Sequence, residues 1–387
     1  MKLAATFPIV ILASAFAQTT ATVPVTLDHN RIIIDVRFPM PDGTTTRVRA
    51  WVDNGATKMT MTDHLAKKLG LPIANATATP PAEIHIGAMI IHPTEVKQAR
   101  VVTTESVAPG LSPEITIPAP VLRDYDLLVD YPNREFTIAS PGSTTFFKGT
   151  SVKAAINSES GQIQVPIEID GEKQNLTLDL GSSFTLLSFE GVSKLQKKHP
   201  QWPHMTGAVG TADQWGTEDE ATATLLRLPR LQIGGVSERD IAVSSSKGAG
   251  ALGGNALLAY RIGIDYAHST VYFDRTVTAQ APDMDVVGLT LRPEDDEKFT
   301  VVGVSEFQGK PAVPGVKSGD LLVKIDGIDA PGGTMGQVWS LLGGAPGDVR
   351  ELILSRDGKQ FTVKATVHRF LDASKRSSPP MKRGSKK

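Results

Sequence analysis

Two acidic residues occupy matched settings far apart in this chain of 387 residues. Trp51-Val52-Asp53-Asn54-Gly55-Ala56-Thr57 and Thr177-Leu178-Asp179-Leu180-Gly181-Ser182-Ser183 each lead into Asp-x-Gly and then small or hydroxyl residues. In each, a strand would deliver the carboxylate to a tight turn, and the glycine would let backbone approach it closely. One Asp-x-Gly means little, because the string is common in hairpin turns. A pair of carboxylates is different. One can take a proton from water while the other donates one, with no metal and no covalent intermediate.

The elements around the two motifs also recur. Tyr125-Asp126-Leu127-Leu128-Val129-Asp130-Tyr131, running on to Phe136-Thr137-Ile138, is matched 135 positions later by Tyr260-Arg261-Ile262-Gly263-Ile264-Asp265-Tyr266, running on to Val271-Tyr272-Phe273. Both read as a strand, a turn and a second strand of a half-buried hairpin. Upstream, Ile84-His85-Ile86-Gly87-Ala88 matches Leu231-Gln232-Ile233-Gly234-Gly235. Each copy has one short amphipathic helical stretch after its Asp motif, His64–Leu69 and Phe189–Lys198, and the rest is strand punctuated by Gly and Pro. The pattern predicts a mainly β chain with two similar lobes, residues 24–145 and 150–276. The second copy is longer between its Asp motif and the next matched element, and the extra residues fall around Gly207–Gly216, which reads as a long hairpin.

These repeats resemble the lobes of the pepsin and retropepsin family of aspartic peptidases, whose motif is two apolar residues followed by Asp-Thr-Gly-Ser/Ala. The resemblance covers roughly residues 24–276. It implies two β lobes related by a pseudo-two-fold, with Asp53 and Asp179 facing each other as catalytic carboxylates. Asn54, Gly55, Thr57, Leu180, Gly181, Ser182 and Ser183 would support the active-site loops. Ala251-Leu252-Gly253-Gly254-Asn255 resembles the family's apolar-apolar-Gly element, for which the first copy has Ile117-Pro118-Ala119. The long hairpin would be a flap over substrate, with Gly210 and Trp215 in it. Two carboxylates about 3.3 Å apart repel by roughly 5 kcal/mol at an effective dielectric of about 20, so one stays protonated while its neighbour ionises. The family's threonine after each Asp, which braces the motifs to each other, is here Asn54 and Leu180. The resemblance implies an endopeptidase acting on polypeptide. The alternative is a catalytically inactive peptide-binding protein that keeps the lobes as a cleft.

Residues 285–370 carry a different pattern. Val316-Lys317-Ser318-Gly319-Asp320-Leu321-Leu322-Val323-Lys324-Ile325-Asp326-Gly327, a helical stretch Thr334–Leu342 and the alternating strand Arg350–Arg356 resemble a PDZ domain, an α/β unit. That resemblance implies binding of peptide or protein C-termini, with Gly288 and Leu289 in the loop that receives the terminal carboxylate. Val338 and Leu341 would line the groove, and the peptide would add to the sheet edge. The alternative is a domain that only packs against the lobes.

Composition bounds the remaining classes. Hydrophobic residues make up 40% and charged residues 21%, with a net charge of -1, so nothing global points to nucleic acid. There is no cysteine, which removes disulfides and thiol chemistry. Lys2, an apolar run and Ala15-Phe16-Ala17 read as a signal peptide over residues 1–17, cut near Ala17. The protein is therefore expected to be exported, to the periplasm or beyond. No later run is long enough to be an integral membrane span. Residues 372–387 read as a disordered basic tail. Gly-x-Ser-x-Gly and His-Glu-x-x-His are both missing, so neither a serine nucleophile nor a catalytic zinc is expected. No cofactor or metal is called for, and a duplicated lobe removes the need for a homodimer, so a monomer is expected.

Overall fold

The computed structural model describes residues 19–102, 112–142, 146–209, 222–248, 250–278, 284–294 and 298–372. The expected signal peptide, the tail beyond Asp372, and Gly210 and Trp215 lie outside them. The chain is mainly β, arranged in several sheets. Among the described residues no helix is long and apolar enough to cross a membrane.

In lobe 1, Thr20–Asp28, Arg31–Pro39 and Thr45–Asp53 form an antiparallel meander. Alternate residues Val23, Val25, Val36, Phe38, Val48 and Ala50 are buried, as a sheet with one covered face requires. The strand that ends in Asp53 is joined in parallel by Ile115–Pro118, which sets Pro118 opposite Asp53. In lobe 2, Ile163–Ile169 pairs with Glu172–Leu178, and Ala251–Leu252 then joins in parallel with Leu252 opposite Leu178. A short helical turn follows the parallel strand in both lobes, Ala119–Leu122 and Gly254–Ala256. Each Asp motif is thus held from the side by a late strand of its own lobe.

The lobes meet along the repeated hairpins. Asp126–Asp130 pairs with Glu135–Ala139, and Tyr260–Asp265 with Thr270–Arg275. The two inner strands run antiparallel side by side, with Leu127 opposite Ile264 and Val129 opposite Ile262. The outer edges are closed by Thr20–Pro24 on one side and Thr150–Lys153 on the other. The result is six strands with matched halves, and a single apolar core runs through both lobes beneath it.

Residues 285–370 build a separate five-stranded path, Leu289–Pro293, Phe299–Val304, Leu321–Ile325, Val349–Arg356 and Lys359–Thr366, with helix Met335–Leu341 packed on it. Its core contains Val287, Phe299, Val301, Leu322, Ile325, Leu352 and Leu354. Thr334 caps the helix with a full capping box to Gln337.

This module is also anchored to both lobes. Met205, Leu225 and Ala242 of lobe 2 share an apolar cluster with Met284, Val286, Ala312, Phe370 and Leu371. The buried Arg227 donates to the Leu371 carbonyl at 2.6 Å, and Thr206 pairs with Glu306 across the boundary. On the lobe 1 side, Asp28 accepts from the Thr334 hydroxyl at 2.7 Å and from the Gly336 amide at 2.8 Å, while Arg31 holds its other oxygen at 2.6 Å.

Candidate active site

Asp53 and Asp179 stand at the ends of their strands and share a side-chain hydrogen bond across the junction of the lobes. The two glycines explain how they come so close. A Cβ added to Gly55 would land on the Asp179 carboxyl group, and one added to Gly181 would land on the Asp53 carboxyl group. Each carboxylate therefore lies over the bare backbone of the opposite motif, and no other residue type leaves that space.

Backbone amides fix the orientation. Asp53 Oδ1 accepts from Gly55 N at 3.1 Å and Ala56 N at 2.8 Å, and Asp179 Oδ1 accepts from Gly181 N at 2.9 Å. Burial, followed by the Asp179 charge, raises Asp53 well above the ordinary carboxylate range. Burial likewise raises Asp179 to about 6, against the opposing pull of the Gly181 and Ser182 amides. Two acids this close cannot both ionise readily, so the pair keeps one proton between them near neutral pH.

The brace between the motifs is built from one side. Asn54 is fully buried; its Nδ2 donates to Leu178 O at 2.8 Å and its Oδ1 accepts from Leu180 N at 2.8 Å. One amide side chain thereby satisfies a donor and an acceptor of the opposite loop through two separate atoms, which an ionised aspartate, an acceptor only, could not do. Leu180 is freed from any polar duty, and its side chain lies in the shared core. The sequence shows Asn54 and Leu180 as departures from a symmetric motif. In the folded chain they are complementary halves of an asymmetric one.

Of the other residues singled out from the sequence, Ser182 Oγ donates to Phe184 O at 2.8 Å and the Ser183 carbonyl accepts from Asn255 N at 3.1 Å, so both stiffen the Asp179 loop. Thr57 is exposed. In the module, Val338 is buried in the core and Leu341 packs beside it. Gly288 has φ +87, and a Cβ there would meet the Phe370 ring at 2.8 Å, while Leu289 is buried. The Val287 amide ahead of this loop is already donated to the Leu342 carbonyl at 3.0 Å.

Several contributing residues carry no sequence signal. Asn30 Nδ2, in the turn between the first two strands of lobe 1, donates to Ser183 O at 3.3 Å in lobe 2. Gln162 Nε2, just ahead of the strand Ile163–Ile169 in lobe 2, donates to Gly55 O at 2.5 Å in lobe 1. Each lobe thus supports the other's Asp-x-Gly loop from a turn. Asn255 ties Thr185 N and Ala242 O to the back of the Asp179 loop at 2.7 Å each. The repeated Asp-Tyr pairs do mark Tyr131 and Tyr266. Both are buried under the motifs and pushed far above the ordinary tyrosine range, Tyr131 by burial and the Asp179 charge and Tyr266 by burial despite a neighbouring Asn54.

No protein-family model matches the sequence, and no curated protein matches it. Among solved structures, an aspartic proteinase from Irpex lacteus superposes with a TM-score of 0.41 at 14% identity, covering 68% of this chain and 99% of that one.

Proposed function

We propose that the chain is an aspartic endopeptidase in which Asp53 and Asp179 activate water against a peptide bond. The observation that carries this reading is the reciprocal placement of each carboxylate over the other motif's glycine, which brings two raised acids into one hydrogen bond. The ionised member takes a proton from a water held between the pair, and the hydroxide so formed adds to the scissile carbonyl carbon. The protonated member hydrogen-bonds to the carbonyl oxygen and stabilises the charge that develops there. Collapse of the tetrahedral intermediate, with a proton passed to the leaving nitrogen, returns the pair to its starting state.

On this reading residues 24–145 and 150–276 are the catalytic lobes and residues 285–370 a PDZ-like peptide-binding unit. The protein is exported after loss of residues 1–17, and Gly210 and Trp215 belong to a flap. The test is hydrolysis of an unfolded, reduced protein between pH 3 and pH 8. Asp53→Asn and Asp179→Asn should each reduce the rate at least 10³-fold, and a pepstatin-type inhibitor should block the wild type. Full activity in either variant would sink the proposal.

A further inference from the structure

A concavity of about 1580 Å³ lies where lobe 1, lobe 2 and the module meet. Lobe 1 lines it with the turn Asp28–Asn30, lobe 2 with Phe184 and Leu258, and the module with helix Met335–Leu341 and the loop before it. The strand edge Leu289–Pro293 and the Gly288 loop take no part in the wall.

Three features indicate what this space holds. The first is position. Phe184 lies five residues beyond Asp179, and Asn30 in the same wall is bonded to the Ser183 carbonyl, so one piece of chain borders both the carboxylate pair and the concavity. His29 bridges the boundary, its ring 5.5 Å from Phe184 and 4.7 Å from Trp339 of the module. The second is size, since sites for single small molecules run to about 300–1,000 Å³ and this space exceeds that.

The third is chemistry. Ile328 is 53% exposed on the rim, and Leu258 and Trp339 add apolar wall. The carboxylates of the lining each hold a cation of their own, Asp28 with Arg31, Asp285 with Arg369 and Asp329 with Lys324. Arg350 is likewise paired, with Asp326. Arg134 also lines the space, and among the described residues no carboxylate pairs with it.

We infer that this concavity receives the part of an unfolded polypeptide substrate that runs away from the scissile bond, with apolar side chains against Ile328 and Trp339 and an acidic one at Arg134. The inference rests on the peptidase reading of Asp53 and Asp179, but binding is tested without turnover. A protein carrying Asp53→Asn, Asp179→Asn and a benzophenone side chain at Ile328 would be illuminated with reduced, unfolded casein. It should cross-link to casein, whereas the same probe at Ile90, which is 48% exposed and lies outside the concavity, should not. In the active enzyme, Arg134→Glu should raise KM for an acidic peptide about tenfold more than for a neutral one, as loss of a complementary charge requires. Cross-linking at Ile328 no stronger than at Ile90, beside normal cleavage by the wild type, overturns this inference alone. Cross-linking at Ile328 beside a wild type that cleaves nothing supports the site and removes the peptidase reading instead.

Discussion

On the peptidase reading, catalytic aptitude and stability oppose each other at the carboxylate pair. Both acids are raised in the folded chain, so the protonated pair is the better accommodated form. The stability this brings is complete below the ordinary carboxylate pKa of about 3.9 and is lost as pH rises through about 6, where the pair gives up its first proton. Asparagine keeps an oxygen for the Gly181 amide and never ionises. Asp179→Asn should therefore melt a few degrees above the wild type at pH 7.5 and level with it near pH 4, which calorimetry at the two pH values would check. Asn54 is the opposite case, a residue whose removal helps nothing. Asn54→Leu strips the partners from Leu178 O and Leu180 N in a buried site, at a cost of about 2–4 kcal/mol. Chemical denaturation should show that loss, and the turnover of the protein that remains folded should fall at least tenfold as the two motifs lose alignment.

Turns and late strands, more than the strands that carry the acids, give the site its rigidity. Gln162 precedes a strand of lobe 2 yet acts on Gly55 of lobe 1. On the peptidase reading, Gln162→Ala should leave the circular dichroism spectrum unchanged and lower kcat about tenfold with little effect on KM, because it loosens the Asp53 loop and does not line the proposed substrate path. The same contrast separates what was legible in the sequence from what was not. Local features were legible. The helix Phe189–Lys198 falls where an amphipathic stretch is expected, Met335–Leu341 lies within the expected helical stretch Thr334–Leu342, and the matched hairpins at Asp126–Ala139 and Tyr260–Arg275 follow from alternation and an Asp-led turn. Contacts set by the docking of one lobe on the other were not. A lone Gln or Asn in a turn has no periodicity, and Asn54 read as a flaw because its partners are backbone atoms more than 120 positions away. The anchoring of the module was hidden for the same reason. Asp28 looks like any hairpin aspartate until Thr334 and Gly336 arrive, over 300 positions later.

At the scale of the whole molecule, that anchor fixes how the three units respond to acid. Burial alone would raise Asp28, but Arg31, Thr334 and the Gly336 amide outweigh it and hold the carboxyl below its usual range. His29 beside it is pushed down to about 4 by burial and the Arg31 charge, so it is neutral where it meets Trp339. Both groups are lowered, so the stability they lend is present above their ordinary pKa values. His29 gives up its share as pH falls from about 6.5 towards 4, and Asp28 follows at still lower pH. The junction between module and lobe 1 should accordingly loosen on acidification, while the apolar contact with lobe 2 persists. Asp28→Ala should reproduce that loosening at pH 7 at a cost of about 3 kcal/mol, because it leaves the buried Arg31 without its counter-charge. Limited chymotrypsin digestion at pH 7.5 is the check, with faster cutting at Trp339 and the leucines after it as the expected outcome.

The six-stranded seam between the lobes has a further consequence for when the protein can act. Its central pairing joins Leu127 to Ile264, positions that synthesis separates widely and that chain entropy brings together late. Neither acid has a counterpart until that seam closes. On the peptidase reading, a partly made chain would carry only half of its chemistry, and competence to cut would begin with the completed tertiary structure.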